Sequence, residues 1–259
     1  AAADIAGAGF GIAGYDWPSE TPQMRATIDR LGLAASYRLV NDALLGLIAG
    51  SEAGWGIGLV SGTGCNCWGL DTSGQRLGRV TGYGSEMGEA AGASDLVLRA
   101  MQMVNYAWIR RIPPTALTEA FVELAGARGA DDLLEGYTKG YYPIGPEAAP
   151  LVFRVAEAGD AVAQGVVRWA GCELGEMVNA VARQLNFLEL AFDVVLVGSM
   201  FSAGRALLDP LRVTVLPVCP GARFVRLNAA PAAGGVLIGM EQGGLTVDAN
   251  IRSRLIKRR

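Results

Sequence analysis

Histidine is absent from this 259-residue sequence. Its absence excludes Ser-His-Asp and Cys-His nucleophilic machinery and most zinc sites. Any general base must therefore be a carboxylate, Lys, Tyr or Cys. Cysteine is scarce, limited to Cys65, Cys67, Cys172 and Cys219. Four thiols in a chain of this length make no disulfide framework and fit a reducing compartment, so a cytoplasmic location is expected. No apolar run reaches the ~18 residues of a membrane span, and no charged-then-apolar leader opens the sequence. Charge is sparse as well: charged residues make up 18% and the net charge is −3. With no basic face implied, nucleic acid is not an expected partner. The one basic stretch, residues 251–259, reads as a frayed, solvated end.

What is present in quantity is apolar sequence, 51% of residues, together with 36 glycines, about twice the usual share of roughly 7%. The glycines are scattered among apolar segments. That pattern indicates tight turns and close backbone approaches rather than disorder. Runs at 9–15, 37–41, 55–61 and 192–198 read as buried strands. Segments 65–70 and 75–80 flank Asp71-Thr72-Ser73-Gly74 as a hairpin. Further strands are predicted at 213–218 and 223–227. Helices are predicted at 21–31, 43–49, 89–108, 203–211 and 232–242, with short helical pieces in the Pro113-Pro114 region. A long helix should follow Gly159, capped by Asp160, because Val162, Val166, Ala170, Leu174, Val178 and Leu185 recur at helical spacing. Strands alternating with helices predict an α/β fold with largely buried sheets.

Five segments could carry chemistry. Gly9-Phe10-Gly11-Ile12-Ala13-Gly14 matches a dinucleotide fingerprint, but no strand precedes it and no helix follows directly, so it reads as a small-residue strand. Ser61-Gly62-Thr63-Gly64 ends a buried strand. Such a turn can aim backbone N–H groups at a phosphate, with the Thr63 hydroxyl as a further donor, or it can be an ordinary hairpin turn. Asp42 lies where a strand ends and a helix begins. It can accept a proton from an attacking hydroxyl, or simply cap the helix; Asn41 beside it can cap or bind substrate. Gly82-Tyr83-Gly84 with Gly88-Glu89 can lie flat against a ligand, with Tyr83 as a wall and Glu89 bonding sugar hydroxyls or merely opening a helix. Val197-Gly198-Ser199-Met200-Phe201 is a strand end that admits a nucleoside, or a tight strand-to-helix turn.

Taken in order, these segments resemble the N-acetylglucosamine kinase family within the actin, Hsp70 and sugar-kinase superfamily. The resemblance rests on Gly11-Ile12-Ala13-Gly14, Asn41-Asp42-Ala43, Ser61-Gly62-Thr63-Gly64, Gly82-Tyr83-Gly84, Gly88-Glu89, Val197-Gly198-Ser199 and Ala233-Gly234-Gly235. It implies two actin-like (ribonuclease H-like) α/β lobes, residues 1–53 and 54–230, with a closing helix within 231–245 returning to the first. It implies ATP and Mg2+ as cofactors, an amino sugar phosphorylated at its 6-hydroxyl, and Asp42 as the catalytic base. It implies Asn41, Thr63, Gly64, Gly82, Tyr83 and Glu89 at the sugar. Ser61, Gly62, Thr63, Gly64, Gly198, Ser199 and Phe201 would lie at ATP. No protein ligand to a metal is assigned, and a homodimer is compatible. Tyr83 stands where the family usually has Trp, Glu89 where it has Asp, and Ala90-Ala91-Gly92 replaces an acid and glycine, which leaves the preferred sugar open. The family's Asp-Gly-Gly-x-Thr phosphate hairpin has no copy here. The first lobe is therefore expected to be incomplete at its N-terminus, as a truncation, an incomplete record or a division between chains. Two other readings stand beside the kinase: an ATPase activator holding an iron–sulfur cluster through cysteines such as Cys65 and Cys67, and a non-catalytic sugar- or nucleotide-binding relative.

Overall fold

A computed structural model describes residues 4–256. The three opening alanines and the last three residues of the basic tail lie outside the described residues. The chain begins with β1 (Gly7–Ile12), α1 (Thr21–Asp29), β2 (Ser36–Asn41) and α2 (Asp42–Gly50). Next come β3 (Gly56–Ser61), β4 (Cys65–Leu70), β5 (Leu77–Arg79) and α3 (Ala93–Trp108). A helical block follows, α4 (Ala116–Ala125), α5 (Ala130–Thr138), α6 (Ala149–Glu157) and α7 (Ala161–Leu185). The chain then runs through β6 (Phe192–Val197), α8 (Arg205–Val215), β7 (Ala222–Arg226), α9 (Ala232–Gln242) and α10 (Ala249–Ile256). The α/β class follows directly from this alternation.

Two sheets form. In one, β1 and β2 pair in parallel, with Ile12 opposite Asn41. The other has the order β5-β4-β3-β6-β7, with β3 antiparallel to β4 and parallel to β6. Helix α2 joins the two. Its sequence from Ala43 to Ala49 has no polar residue and every one of these side chains is buried, as a helix apolar all round must be. Its Leu44, Leu47 and Ile48 share a core with Val40, Trp68, Leu70, Val195, Leu237 and Ile238. A larger core lies on the other face of the second sheet, around α3, α7 and α8. Of the fingerprint-like glycines, Gly9 and Gly11 sit within β1 and Gly14 (φ +73°) in the turn that follows it. A Cβ on Gly9 would fall 2.4 Å from the Gly235 carbonyl oxygen, so small residues here let α9 lie on β1.

Three expectations change. Residues 213–218 are not a strand: 213–215 complete α8. The β-branched run Val213-Thr214-Val215 favours a strand locally, but Leu207, Leu211 and Val215 recur every fourth residue and are buried, while Val213 is 73% exposed. Burial at helical period overrides local propensity here. Residues 89–92 are also not helical; α3 starts at Ala93, so Glu89 lies in a loop. The described part of the basic tail is not frayed. It forms α10, and Arg252 Nη1 donates to the Ile48 carbonyl at 2.7 Å, at the end of α2, where a helix dipole favours a cation.

Candidate functional site

Asn41, not Asp42, caps α2: its Oδ1 accepts the Ala43 N–H at 2.9 Å. Its Nδ2 donates to the Tyr15 carbonyl at 3.1 Å and to Asp16 Oδ1 at 3.0 Å. All its polar groups are engaged and it is 1% exposed, so its side chain is a brace rather than a group offered to a ligand. Asp42 follows in the first turn of the helix, half-buried. Burial pushes its carboxyl above the usual range; the Ala43 N–H opposes this and the nearby charge of Asp16 adds to it. A carboxyl raised in this way is better matched to taking up a proton near neutral pH.

The 61–64 turn is built as a cradle. Gly62 N–H closes it on the Gly64 carbonyl at 2.9 Å. The start of α3 docks beneath it, with Ala93 N–H on the Gly62 carbonyl and Ser94 N–H on the Thr63 carbonyl. Thr63 and Gly64 are exposed. Among the described residues their N–H groups have no backbone acceptor. Ser61 is different: it is fully buried and its hydroxyl donates to the Ala91 carbonyl at 2.8 Å, so it pins the turn. Gly198 (φ +116°) touches the same turn, since a Cβ there would lie 2.1 Å from the Ser61 carbonyl oxygen. The two segments assigned to nucleotide thus meet.

Glu89 organises the glycine loop from within. Its Oε1 accepts Thr81 N–H, and its Oε2 accepts the Thr81 hydroxyl and the Gly82 N–H, both at 2.8 Å. The Glu89 carbonyl accepts the Cys65 thiol at 3.1 Å. Gly82 (φ +79°) lies flat on Asp16: a Cβ would come within 2.7 Å of its carboxyl carbon. Tyr83, next to Gly82, is 61% exposed. Beyond the turn, a cavity of about 420 Å³ is lined by Ala93, Pro146, Phe153, Ser199, Met200 and Ala203. Phe201 does not join it. Its side chain is fully buried in the core of the second sheet, so its assignment to ATP has no side-chain basis. A larger apolar groove of about 730 Å³ along β1 and α9 contains no residue of the expected site.

The structure therefore links Asn41 through Asp16, Gly82 and Glu89 to Cys65, next to the 61–64 turn that Gly198 touches, with Asp42 beside Asn41 in the chain. It leaves Tyr83 at the surface and Phe201 in the core. Sequence reasoning missed Asp16 and Asn66, which complete the network. Asp16 has a signal of the same kind as Asp42, a carboxylate just beyond a strand's C-terminal end. Asn66 is the lone uncharged amide in an otherwise apolar strand, Cys65–Leu70. The cluster reading of the cysteines has no geometric support: among the described residues no group of three or more Cys, Asp or Glu side chains is placed to hold a metal. Burial, aided by the Asp95 charge, pushes the Cys65 thiol up to about 12, and burial pushes Cys67 well above its usual value.

No family model matches the chain. It is 24% identical over 238 residues to an N-acetyl-D-glucosamine kinase of Dictyostelium discoideum, spanning 89% of this chain and 74% of that protein. It is 26% identical over 237 residues to an N-acetylmuramic acid/N-acetylglucosamine kinase of Clostridium acetobutylicum, spanning 88% and 75%. The crystal structure of a Chromobacterium violaceum protein, provisionally assigned as an N-acetylglucosamine kinase, superposes with a TM-score of 0.62 at 24% identity, covering 89% of this chain and 75% of that one. That likeness establishes the fold. The chain is thus a relative of the N-acetylglucosamine kinases, built on the actin-like fold of the sugar kinases.

Proposed function

We propose that the protein transfers the γ-phosphoryl group of ATP to the 6-hydroxyl of an amino sugar of the N-acetylglucosamine type. One observation carries the reading: contacts run from Asn41, the neighbour of Asp42, through Asp16, Gly82 and Glu89 to Cys65, which directly follows the open 61–64 turn. The named activities of the two relatives narrow the acceptor to N-acetylglucosamine, N-acetylmuramic acid or a close analogue.

Asp42 takes the proton of the attacking hydroxyl. The N–H groups of Thr63 and Gly64, with the Thr63 hydroxyl, face the terminal phosphates and meet the charge that builds there. ATP supplies the phosphoryl group. Gly198 packs directly on the Ser61 carbonyl, which sets the end of β6 against the turn, and the cavity beside Ser199 suits the base of ATP. Mg2+ would arrive on the β- and γ-phosphate oxygens; among the described residues no group of three or more acidic or thiol side chains forms a cage for it. Glu89 shapes the loop that bears Gly82 and Tyr83, and Tyr83 closes over the sugar from the lip. We divide the lobes near residue 53, with α9 returning to the first lobe, which its close packing on β1 and α2 supports. Four free cysteines suit the cytoplasm.

A coupled ADP-release assay over N-acetylglucosamine, N-acetylmuramic acid, glucosamine and glucose tests the proposal. ADP should appear only with an acetylated amino sugar, and Asp42→Asn should lower the rate by about 10²–10⁴-fold. ATP turnover without sugar, or an active Asp42→Asn protein, overturns the reading.

A further inference from the structure

We propose that Asp16 is a positioning residue for phosphoryl transfer, its carboxylate holding the base-bearing helix α2 and the sugar-side edge of β4 in one fixed arrangement; this rests on the kinase reading above. Asp16 follows β1 and is 7% exposed. Its Oδ1 accepts two amide donors from different sheets, Asn41 Nδ2 at 3.0 Å and Asn66 Nδ2 at 3.1 Å. Asn41 caps the helix on which Asp42 sits. Asn66 lies on β4, opposite Val60 and two residues beyond Gly64.

The consequence for Asn66 is orientation. Its Oδ1 accepts the Cys67 N–H at 2.8 Å and one Nδ2 hydrogen goes to Asp16. The amide plane is therefore fixed at both ends. The same carboxylate is the surface on which Gly82 rests, so the sugar loop, the amide and the base share one anchor.

The anchor is a poor choice for stability alone. No cation pairs with Asp16 among the described residues. A buried carboxylate met only by neutral donors is a desolvation burden that a neutral side chain would lighten. A carboxylate can, however, accept several donors at once with charge-assisted strength. That is the property needed to bind two amides from two sheets without giving either a choice of orientation.

The test is steady-state kinetics of the wild-type protein and of Asp16→Asn, Asp16→Ala and Asn66→Ala, with the sugar KM and the ATP KM measured separately. Asp16→Ala should raise the sugar KM about tenfold or more, the loss expected when a hydrogen-bonded arrangement is released, and lower kcat, with the ATP KM within about threefold of wild type. Asp16→Asn keeps an acceptor in the same place and should recover most of the sugar KM. Asn66→Ala should resemble Asp16→Ala, and the double variant should be no worse than either single, because the two act as a unit. Thermal unfolding identifies a variant that fails to fold; Asp16→Asn, nearly isosteric, keeps the comparison available. An active wild type whose Asp16→Ala variant retains its sugar KM, or whose two KM values rise together, overturns this proposal alone. A wild type with no sugar-dependent ADP release overturns the kinase reading and this proposal with it.

Discussion

At the scale of single residues, the proposed chemistry rests on Asp42 and on what burial does to it. Burial raises its carboxyl pKa above the ordinary 3.8, the Ala43 N–H pulls it back, and the charge of Asp16 pushes it up again. A carboxyl raised in the native state holds its proton more readily folded than unfolded. Its favourable contribution is present at low pH and is lost as pH rises through the native value. At neutral pH the ionised group works against the fold. Asp42→Asn should therefore raise Tm at pH 7 by roughly 1–3 °C while removing activity, and the gain should vanish below about pH 4. Thermal unfolding from pH 4 to 8 measures it. In the wild type, kcat/KM should fall as pH drops through a value above 3.8, because Asp42, as the proposed base, acts only when ionised.

Among elements, α8 is the most informative. A strand at 213–218 would place Val213 and Val215 on the same face. The helix separates them: Val215 and Leu211 are fully buried, and Val213 is 73% exposed. Leu211→Ala should cost about 2–5 kcal/mol, whereas Val213→Lys should change stability by no more than about 0.5 kcal/mol. Urea unfolding of the two variants decides it, since a strand at 213–218 would bury Val213 together with Val215 and make Val213→Lys strongly destabilising. The reason α8 defeats local reading lies in its neighbour. Gly171 and Gly175 of α7 admit it closely, with a Cβ on Gly171 falling 2.7 Å from the Leu207 carbonyl oxygen. The burial that favours a helix is supplied from 30 or more residues away.

For the molecule as a whole, the two sheets meet through α2 and through the polar node around Asp16. Ligands held between them should stabilise both together. Saturating ATP analogue with N-acetylglucosamine, each at about 100 times its Kd, should add close to 2.7 kcal/mol per independent site, seen as a rise in Tm larger than either ligand gives alone. Absence of any sugar-dependent shift would argue against a shared cleft. The large groove along β1 and α9 should be indifferent to these ligands, since it shares no residue with the node.

The sequence by itself determined the α/β class, the α9 segment at 232–242, the Asp160 cap on the long α7, and the order of the glycine turns, because each depends on local period, capping or turn chemistry. It also singled out Asp42 and the 61–64 turn as candidates for the proposed chemistry. Only the tertiary structure decided that Asn41 spends its polar groups within the protein, that Phe201 belongs to a core, and that Asp16 and Asn66, 50 residues apart, meet at one oxygen. Local pattern fixes which face of a strand or helix is apolar. Which polar group from one sheet answers which from another depends on how those faces stack, and that is a property of long-range packing alone.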